Sequence, residues 1–353
     1  MNRFPPAKLP YTRAKDLAEC RSLLCDGSRS FYAASLFLPR QLSEPATALY
    51  AFCRLADDAI DEDPEGDGLQ RMQARLDAIY AGEPENSAAD RALMRVVQRF
   101  EIPRALPQAL LEGFEWDTGG RMYATGEELE DYAARVAGTV GAMMTLLMGV
   151  RSPDSLARAC DMGVAMQLTN IARDVGEDAH RGRLYLPLNW MQEAGIDPDA
   201  FLANPVFTPE LGSVIKRLLQ EAHRLYERGA VGIQTLPPAY RPGITAAMVL
   251  YSEIGREVER NGYDSVSRRA VVPPSRKVMA LTRMMRRFNR EQLRIMGRML
   301  GEAPSAANRF LVRAVQDQKP SSPSIRPTAL AMGRVEHRIM WLHNLFQRLD
   351  QKK

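Results

Sequence analysis

Carboxylates spaced like helical neighbours occur in two segments of the chain that are otherwise apolar. The first segment is residues 49–62, LYAFCRLADDAIDE, and the second is residues 166–183, MQLTNIARDVGEDAHRGR. A helix turns by about 100° per residue, so the polar side chains of each segment form one stripe about 100° wide. The members are Tyr50, Arg54, Asp57, Asp58 and Asp61 in the first stripe, and Gln167, Asn170, Asp174, Asp178 and Arg181 in the second. Such a stripe can hold a hard divalent cation against a phosphate, because Mg²⁺ prefers carboxylate and phosphate oxygens.

A solvated helix face is the ordinary explanation for one pair of carboxylates four residues apart. The apolar residues around these stripes, such as Phe52 and Ile60 in the first and Leu168 and Val175 in the second, argue against it. They indicate that both helices lie inside a helical array, where charge without a metal ion or an arginine is too costly to keep. Two segments with the same layout therefore predict a site for two diphosphates, or for one diphosphate held from both sides.

The rest of the chain is also patterned for helices. Apolar residues recur at spacings of three and four over residues 69–80, 88–100, 107–116, 127–148, 153–178 and 211–236. Proline- and glycine-rich breakers separate these segments, and Ser152 before Pro153 predicts a helix N-cap followed by proline at the first helical position. No strand-like alternation is sustained. The pattern predicts an all-α fold, a single domain of helices around a central cavity, whose site is built from side chains on facing helices.

We expect three parts along the chain: an N-terminal extension at residues 1–17, the helical domain at 18–300, and a linker with an amphipathic helix at 301–353. The linker is the polar, proline-containing stretch at 316–323, and apolar residues repeat at helical spacing from Met332 to Leu349. This last helix either packs back onto the domain or lies on a membrane surface. An earlier basic helix, at residues 277–298, has a solvated face as its default interpretation and a membrane-facing or substrate-attracting surface as the alternative.

Composition and charge fit a soluble globular protein. The chain has 353 residues, 45% of them hydrophobic and 25% charged, and a net charge of +4, which suits a diphosphate or an anionic membrane but decides nothing alone. The longest uncharged apolar run, residues 136–150, is too short and too glycine-rich to span a bilayer, and its glycines instead suggest close helix contacts. The N-terminus has no secretory signal, and the four cysteines lack metal-ligand spacing. We expect a cytoplasmic protein with reduced thiols, peripheral membrane association and no nucleic-acid partner.

The segments YAFCRLADDAIDE and NIARDVGEDAHRGRLYLP resemble the two signature segments of the head-to-head prenyl synthases, which are the squalene and phytoene synthases. The resemblance extends to GSRSFY at residues 27–32 and to Tyr132 followed by VAGTVG at 136–141, and it covers residues 18–290. Four ordered blocks are more specific than one short motif. Within the family, YAARVAGTVG and QLTNIARDVGEDA most resemble the bacterial phytoene synthases.

The resemblance implies the head-to-head condensation of two geranylgeranyl diphosphates to 15-cis-phytoene, a step of carotenoid biosynthesis. In this reaction a cyclopropyl diphosphate forms as the intermediate and both diphosphates are released. The alternative within the family is a squalene or dehydrosqualene synthase that uses two farnesyl diphosphates. A third possibility, from another class, is an inactive family member that acts as an assembly or binding protein. The complete set of carboxylates on both stripes argues against inactivity.

The resemblance also implies roles for individual residues. The metal ligands implied are Asp57, Asp58, Asp61, Asn170, Asp174 and Asp178, and the catalytic residues are Asp57, Asp61, Asp174, Asp178 and Tyr132. The metal is Mg²⁺, with Mn²⁺ as a substitute, and no NADPH is expected because phytoene forms without reduction. Many relatives carry a second aromatic residue two positions after Tyr132, where this chain has Ala134.

Substrate binding and partners follow in the same way. The substrate-binding residues implied are Ser28, Arg29, Ser30, Tyr50, Arg54, Gln167, Arg173 and Tyr251. The GSRS segment also fits an ordinary helix-capping turn. The isoprenoid tails would lie against Met143, Met144, Leu147 and Met148, although methionines at this spacing are equally typical of a plain core. The implied partners are geranylgeranyl diphosphate, a membrane surface and other enzymes of the carotenoid pathway.

Overall fold

The computed structural model describes residues 13–27, 32, 35–61, 66–287 and 302–318. Every regular element in these ranges is helical, which confirms the predicted fold class. In chain order the helices are α1 (Arg13–Gly27), α2 (Arg40–Asp61), α3 (Gly68–Ala81), α4 (Ala88–Phe100), α5 (Ala105–Thr118), α6 (Gly126–Ala133), α7 (Thr139–Leu147), α8 (Pro153–His180), α9 (Leu188–Glu193), α10 (Pro198–Ala203), α11 (Pro209–Ile233), α12 (Arg241–Arg260), α13 (Pro274–Arg287) and α14 (Arg309–Gln316).

Local sequence explains where the central helix, α8, begins and ends. Ser152 accepts a hydrogen bond from the backbone N–H of Ser155, and Pro153 occupies the first helical turn, as predicted. The helix runs for 28 residues to His180, which is about 42 Å. Arg181 is the capping residue beyond that end. The sequence interpretation counted it in the second stripe; it is exposed at the helix end and still close enough to Asp178 to lower the pKa of that carboxyl.

Close contacts between backbones hold α7 against α8. An added Cβ at Gly141 would overlap the carbonyl oxygen of Ala159, and one at Gly163 would overlap the carbonyl oxygen of Ala137. Only glycine allows the two helices to approach this closely. Gly138 and Gly141 therefore serve the close packing that the sequence suggested, whereas Gly149 has a positive φ of 74° just after α7. Helices α11 and α12 pack on other faces of α8, so α8 is surrounded by the rest of the array.

The segment at residues 127–148, predicted as one helix, is divided in the structure. Between α6 and α7, Ala134–Gly138 form a π-helical turn. The extra residue in such a turn rotates every later side chain relative to a regular helix. The apolar pattern did not reveal it, because both halves keep helical spacing. The consequence is functional, since Val136 and Ala137 of this turn line the central cavity.

The packed array continues beyond residue 300, where the sequence interpretation ended the domain. Helix α14 packs against α5, α7, α8 and the π-helical turn. The buried amide of Asn308 donates to Asp161 of α8 over 2.9 Å, which fixes the start of α14. The pattern in this segment is too short to predict from spacing alone. Gln316, placed in the linker, ends α14, and residues 319–323 of the linker and the final helix lie outside the described residues.

Two further expectations concern the chain as a whole. The four cysteines are free thiols, as predicted. Within the described ranges, none of the helices combines the length and the apolar character needed to cross a bilayer.

Candidate active site

A cavity of about 460 Å³ lies between α2, α5, α7, α8, α11, α12 and the π-helical turn. Its polar lining comes from both predicted stripes. The stripe members that line it are Tyr50, Arg54 and Asp57 from α2 and Gln167 and Asn170 from α8, whereas Asp58, Asp174, Asp178 and Arg181 do not line it. Tyr132 from α6 and Tyr251 from α12 complete this polar lining. The structure therefore brings part of each stripe to one cavity, although the stripes are far apart in the sequence.

Two arginines hold Asp174, which lies on α8 one helical turn beyond Asn170 and is not itself part of the cavity lining. The Nε atoms of Arg173 and Arg269 each donate to Oδ1 of Asp174 over 2.7 Å. Burial opposes ionisation of this carboxyl, but the two arginines outweigh it and keep its pKa below the ordinary value. Arg173 was predicted as a binding residue. Arg269 was not, because it lies in the segment between α12 and α13, outside both sequence stripes.

The pKa of Asp178 is shifted in the opposite direction from that of Asp174. Burial and then the negative charge of Asp174 raise the pKa of Asp178 to about 7, and Asp117 adds to the rise. Arg183 and Arg181 oppose this rise without reversing it. The second stripe therefore contains carboxylates that repel one another, and a cation placed between them would relieve that repulsion.

The carboxylate and amide oxygens of the two stripes are suitable ligands for a hard divalent cation. In the described residues, however, these side chains do not surround a common metal position. Within the described part of the chain, no three His, Cys, Asp or Glu side chains are gathered into a metal-binding cluster. Arginines hold the carboxylates instead, since Arg54 pairs with Asp57 over 3.2 Å and with Asp58 over 2.6 Å. Carboxylate and amide oxygens are nevertheless the ligands that Mg²⁺ prefers. The side chain of Asp61 lies outside the described residues.

Tyr50 connects the first stripe to the GSRS segment. Burial raises the pKa of Tyr50 to about 12, so its hydroxyl is protonated at neutral pH. An added Cβ at Gly27 would overlap that hydroxyl, so Gly27 lies directly against it. Ser28, Arg29 and Ser30 follow Gly27 in the chain but lie outside the described residues. Their role as a diphosphate cradle stays a prediction.

Asp117 organises a cluster of tyrosines that the sequence analysis missed. Tyr132 donates its hydroxyl hydrogen bond to Oδ2 of Asp117 over 2.8 Å, and Tyr185 donates to Oδ1 over 2.7 Å. The rings of Tyr132 and Tyr185 stack with centroids 5.3 Å apart, and Tyr123 lies beside both. Burial and the charge of Asp117 raise the pKa of Tyr132 and of Tyr185. Both phenols therefore remain hydrogen-bond donors.

The sequence placed two residues of this cluster in or beside recognised segments, but it gave no indication that they meet. Tyr185 is in the quoted segment NIARDVGEDAHRGRLYLP, and Asp117 follows Trp116 at the end of a predicted helix. Neither residue belongs to a helical stripe, so spacing gave them no role. Ala134, the departure from many relatives, is fully buried in the π-helical turn and does not line the cavity.

The other end of the cavity is apolar. Of the four residues predicted to line a tail channel, Met144 and Met148 line the cavity, whereas Met143 and Leu147 are buried in the core. The π-helical turn determines which side of α7 faces the cavity. The polar end could hold a diphosphate and the apolar end a hydrocarbon chain.

Comparison with known proteins gives consistent results. Residues 24–276 match the family model described as squalene/phytoene synthase. The chain is 54% identical to a phytoene synthase of Rhodobacter capsulatus, over 74% of this chain and 79% of that protein. It is 39% identical to a 15-cis-phytoene synthase of a Paracoccus species, over 72% of this chain and 86% of that protein.

Solved structures of the same fold agree. A dehydrosqualene synthase in complex with a ligand superposes with a TM-score of 0.72 at 33% identity, covering 78% of this chain and 97% of that one. The squalene synthase HpnC from Alicyclobacillus acidocaldarius superposes with a TM-score of 0.66 at 26% identity, covering 71% of this chain and 95% of that one. These likenesses extend over most of the described helices.

Proposed function

We propose that this chain, which belongs to the squalene/phytoene synthase family, condenses two molecules of geranylgeranyl diphosphate head to head into 15-cis-phytoene. The observation that carries the proposal is the cavity itself, whose lining combines members of both polar stripes, among them Asp57 and Asn170, with a large apolar surface. The similarity to proteins named phytoene synthase supports the choice of product. A fifteen-carbon substrate is the alternative, and the similarity to a dehydrosqualene synthase favours testing it.

The polar end of the cavity would bind and release diphosphate. Asp57, Asp61, Asn170, Asp174 and Asp178 would hold Mg²⁺, or Mn²⁺ in its place, with Asp58 beside them. Bound there, the metal would supply positive charge against a leaving diphosphate. Arg54, Arg173 and Arg269 are already within hydrogen-bond reach of the stripe carboxylates. They can donate charge-assisted hydrogen bonds to diphosphate oxygens once the carboxylates bind metal.

Tyr132 and Asp117 line the cavity next to this polar end. The π-face of Tyr132 can stabilise an allylic carbocation, and the carboxylate of Asp117 adds negative potential. A buried wall of tyrosines also keeps water away from the cation. In the proposed reaction the first diphosphate departs as the cyclopropyl intermediate forms, and the second departs as that intermediate rearranges. Each stage loses one proton, so no reductant such as NADPH is required.

We also propose that the protein is cytoplasmic and contacts a membrane surface peripherally, where an apolar product can leave. Val271 and Met279, around the start of the basic helix α13, are exposed apolar residues that support this contact. Enzymes that consume the product would then act at the same surface. Liposome sedimentation should detect the contact, and sedimentation unchanged by anionic lipid would contradict a role for the basic helix.

A product assay tests the catalytic proposal directly. Purified protein is incubated with Mg²⁺ and either geranylgeranyl or farnesyl diphosphate, with and without NADPH, and the hydrocarbon is identified by mass. We expect phytoene from geranylgeranyl diphosphate in the same yield with and without NADPH, and no product when EDTA replaces Mg²⁺. Squalene that appears only with NADPH would identify the chain as a squalene synthase. Dehydrosqualene as the sole product would identify it as a dehydrosqualene synthase.

A further inference from the structure

The loop between α12 and α13, residues 261–273, carries Arg269 to the second stripe. We propose that Asp264 and Gly176 are positioning residues, which hold this loop against α8 so that Arg269 is placed to bind diphosphate beside Asp174. Neither of the two residues lines the cavity. The inference rests on the proposed function, because it concerns how the same site binds diphosphate.

A sharp turn directs the chain back towards α8 directly after α12. The backbone N–H of Gly262 donates to the carbonyl oxygen of Glu259, and that of Tyr263 donates to Val258, both over 2.9 Å. This pair of bonds is a Schellman motif. Gly262 and Tyr263 have φ angles of 68° and 62°, in the left-handed region that a residue with a side chain seldom adopts. The loop therefore leaves α12 in a defined direction.

The side chain of Asp264 holds the next turn of the loop. Its Oδ1 atom accepts hydrogen bonds from the backbone N–H groups of Val266 over 3.1 Å and of Ser267 over 2.9 Å. An aspartate that bonds to the backbone two residues on acts as part of the turn itself. Both bonds use one oxygen atom, which an asparagine also has. The proposed role therefore needs the oxygen and not the charge.

Gly176 is the point on α8 against which the loop lies. Its backbone N–H donates to the carbonyl oxygen of Ser265 over 3.0 Å, and Ser265 is buried there. A Cβ atom added at Gly176 would lie 2.7 Å from the Cα atom of Val266, so only glycine permits this contact. Gly176 belongs to the quoted segment NIARDVGEDAHRGRLYLP, where helical spacing gave it no role. The contact joins loop and helix two residues after Asp174.

The same loop places Arg269 over the carboxylates of α8. Its Nε atom lies 2.7 Å from Oδ1 of Asp174 and 3.4 Å from Oε2 of Glu177. The side chain of Arg269 is 44% exposed, so its own packing restrains it little. Ala270 and Val272 are buried, so the loop is anchored on both sides of Arg269. An arginine on a fixed backbone loses less conformational freedom when it binds a ligand.

Calorimetry of inorganic diphosphate binding in the presence of Mg²⁺ tests this inference without depending on the reaction product. Asp264→Ala removes both loop hydrogen bonds and should weaken diphosphate binding about three- to tenfold. Asp264→Asn keeps the acceptor oxygen and should bind within about twofold of the wild type. Asp197→Ala is the matched control, since Asp197 also accepts a backbone N–H, at the start of α10 and outside the cavity lining. The melting temperature of each variant is measured alongside.

A double-mutant cycle shows whether Asp264 acts through Arg269. Arg269→Gln should weaken diphosphate binding at least about tenfold, because a charge-assisted hydrogen bond is lost. Adding Asp264→Ala should weaken it no further, because the side chain that Asp264 positions is already gone. Losses that multiply in the double variant would overturn the inference. Equal losses in Asp264→Ala and Asp264→Asn would also overturn it, since they would assign the effect to charge.

Gly176→Ala approaches the same loop from the side of α8. The added methyl group must push the loop away, so diphosphate binding should weaken at least as much as in Asp264→Ala. If Gly176→Ala does not fold, the Asp264 variants decide alone. Unchanged binding in Asp264→Ala and in a folded Gly176→Ala contradicts the inference. A wild-type protein that binds Mg²⁺ and diphosphate but forms no phytoene contradicts the proposed product, while the cycle still decides the role of Asp264.

Discussion

The two ends of the cavity are built in different ways. At the polar end, charged side chains from distant segments hold one another, as when Arg173 and Arg269 both bind Asp174. At the apolar end, backbones determine the shape, because Gly141 lets α7 touch α8 and Gly163 lets α8 touch the π-helical turn. Substitutions at the polar end should therefore change the rate for every substrate, whereas substitutions at the apolar end should change which substrate is used.

The difference follows from the physics of each interaction. A buried charge that loses its partner keeps its desolvation penalty, so the polar end tolerates few changes. A hydrocarbon tail makes only weak, non-directional contacts, and its binding depends on volume and length. Selectivity for chain length can thus change without disturbing the chemistry of diphosphate release.

The largest expected effect comes from Asp174→Asn. The substitution removes one negative charge from the proposed metal site with little change in volume, so turnover should fall at least about a hundredfold for both diphosphates. Steady-state rates with each substrate at saturating Mg²⁺ provide the measurement, and the exposed substitution Asp199→Asn on α10 is the control. Near-normal turnover, or a loss with only one of the two diphosphates, would contradict the idea that the polar end controls the rate for every substrate.

A smaller effect is expected from Asp117→Asn. The amide keeps an acceptor for one phenol but loses the negative charge and the second acceptor oxygen, so turnover should fall about ten- to a hundredfold. Tyr185→Phe is the matched variant, because it removes one hydrogen bond to Asp117 and leaves its charge. Its loss of turnover should be several times smaller. Equal losses in both variants would show that Asp117 acts only through packing of the tyrosine cluster.

The smallest effect concerns pH and metal at the polar end. Because the pKa of Asp178 is raised to about 7 in the folded protein, the folded state binds a proton that the unfolded state has released above about pH 4. This proton stabilises the fold at low pH, and the stabilisation is lost as the pH rises through about 7. Mg²⁺ binds the ionised carboxylate, so it should raise the melting temperature more at pH 8 than at pH 5.5.

Thermal unfolding with Mg²⁺ or EDTA at both pH values measures this difference. Asp178→Asn removes the titrating group and should make the Mg²⁺ effect smaller and less dependent on pH. A Mg²⁺ effect that is equally large at both pH values in the wild type would argue against Asp178 as a ligand. Met144→Leu, which changes a residue lining the apolar end, should leave the pH dependence unchanged.

Local sequence patterns determined the family, the all-α fold and the two stripes. Helical spacing and capping act over a few residues, so the N-cap at Ser152 and the bounds of α4 could be predicted. The meeting of Tyr50, Asp57 and Asn170 at one cavity was expected from the matching stripes and from the family resemblance. The roles of these residues in metal and substrate binding remain predictions.

Tertiary structure alone decided the contacts between segments that share no helical face. Arg269 reaches Asp174 across 95 positions, and Tyr185 reaches Asp117 across 68. Spacing cannot predict such pairs, because they depend on how helices cross and on where the loops between them lead. The π-helical turn at Ala134–Gly138 adds a residue without changing the apolar pattern, and it determines which methionines of α7 face the cavity. Local sequence patterns thus identify the residues proposed for catalysis. The depth and the lining of the channel depend on how the helices pack against one another.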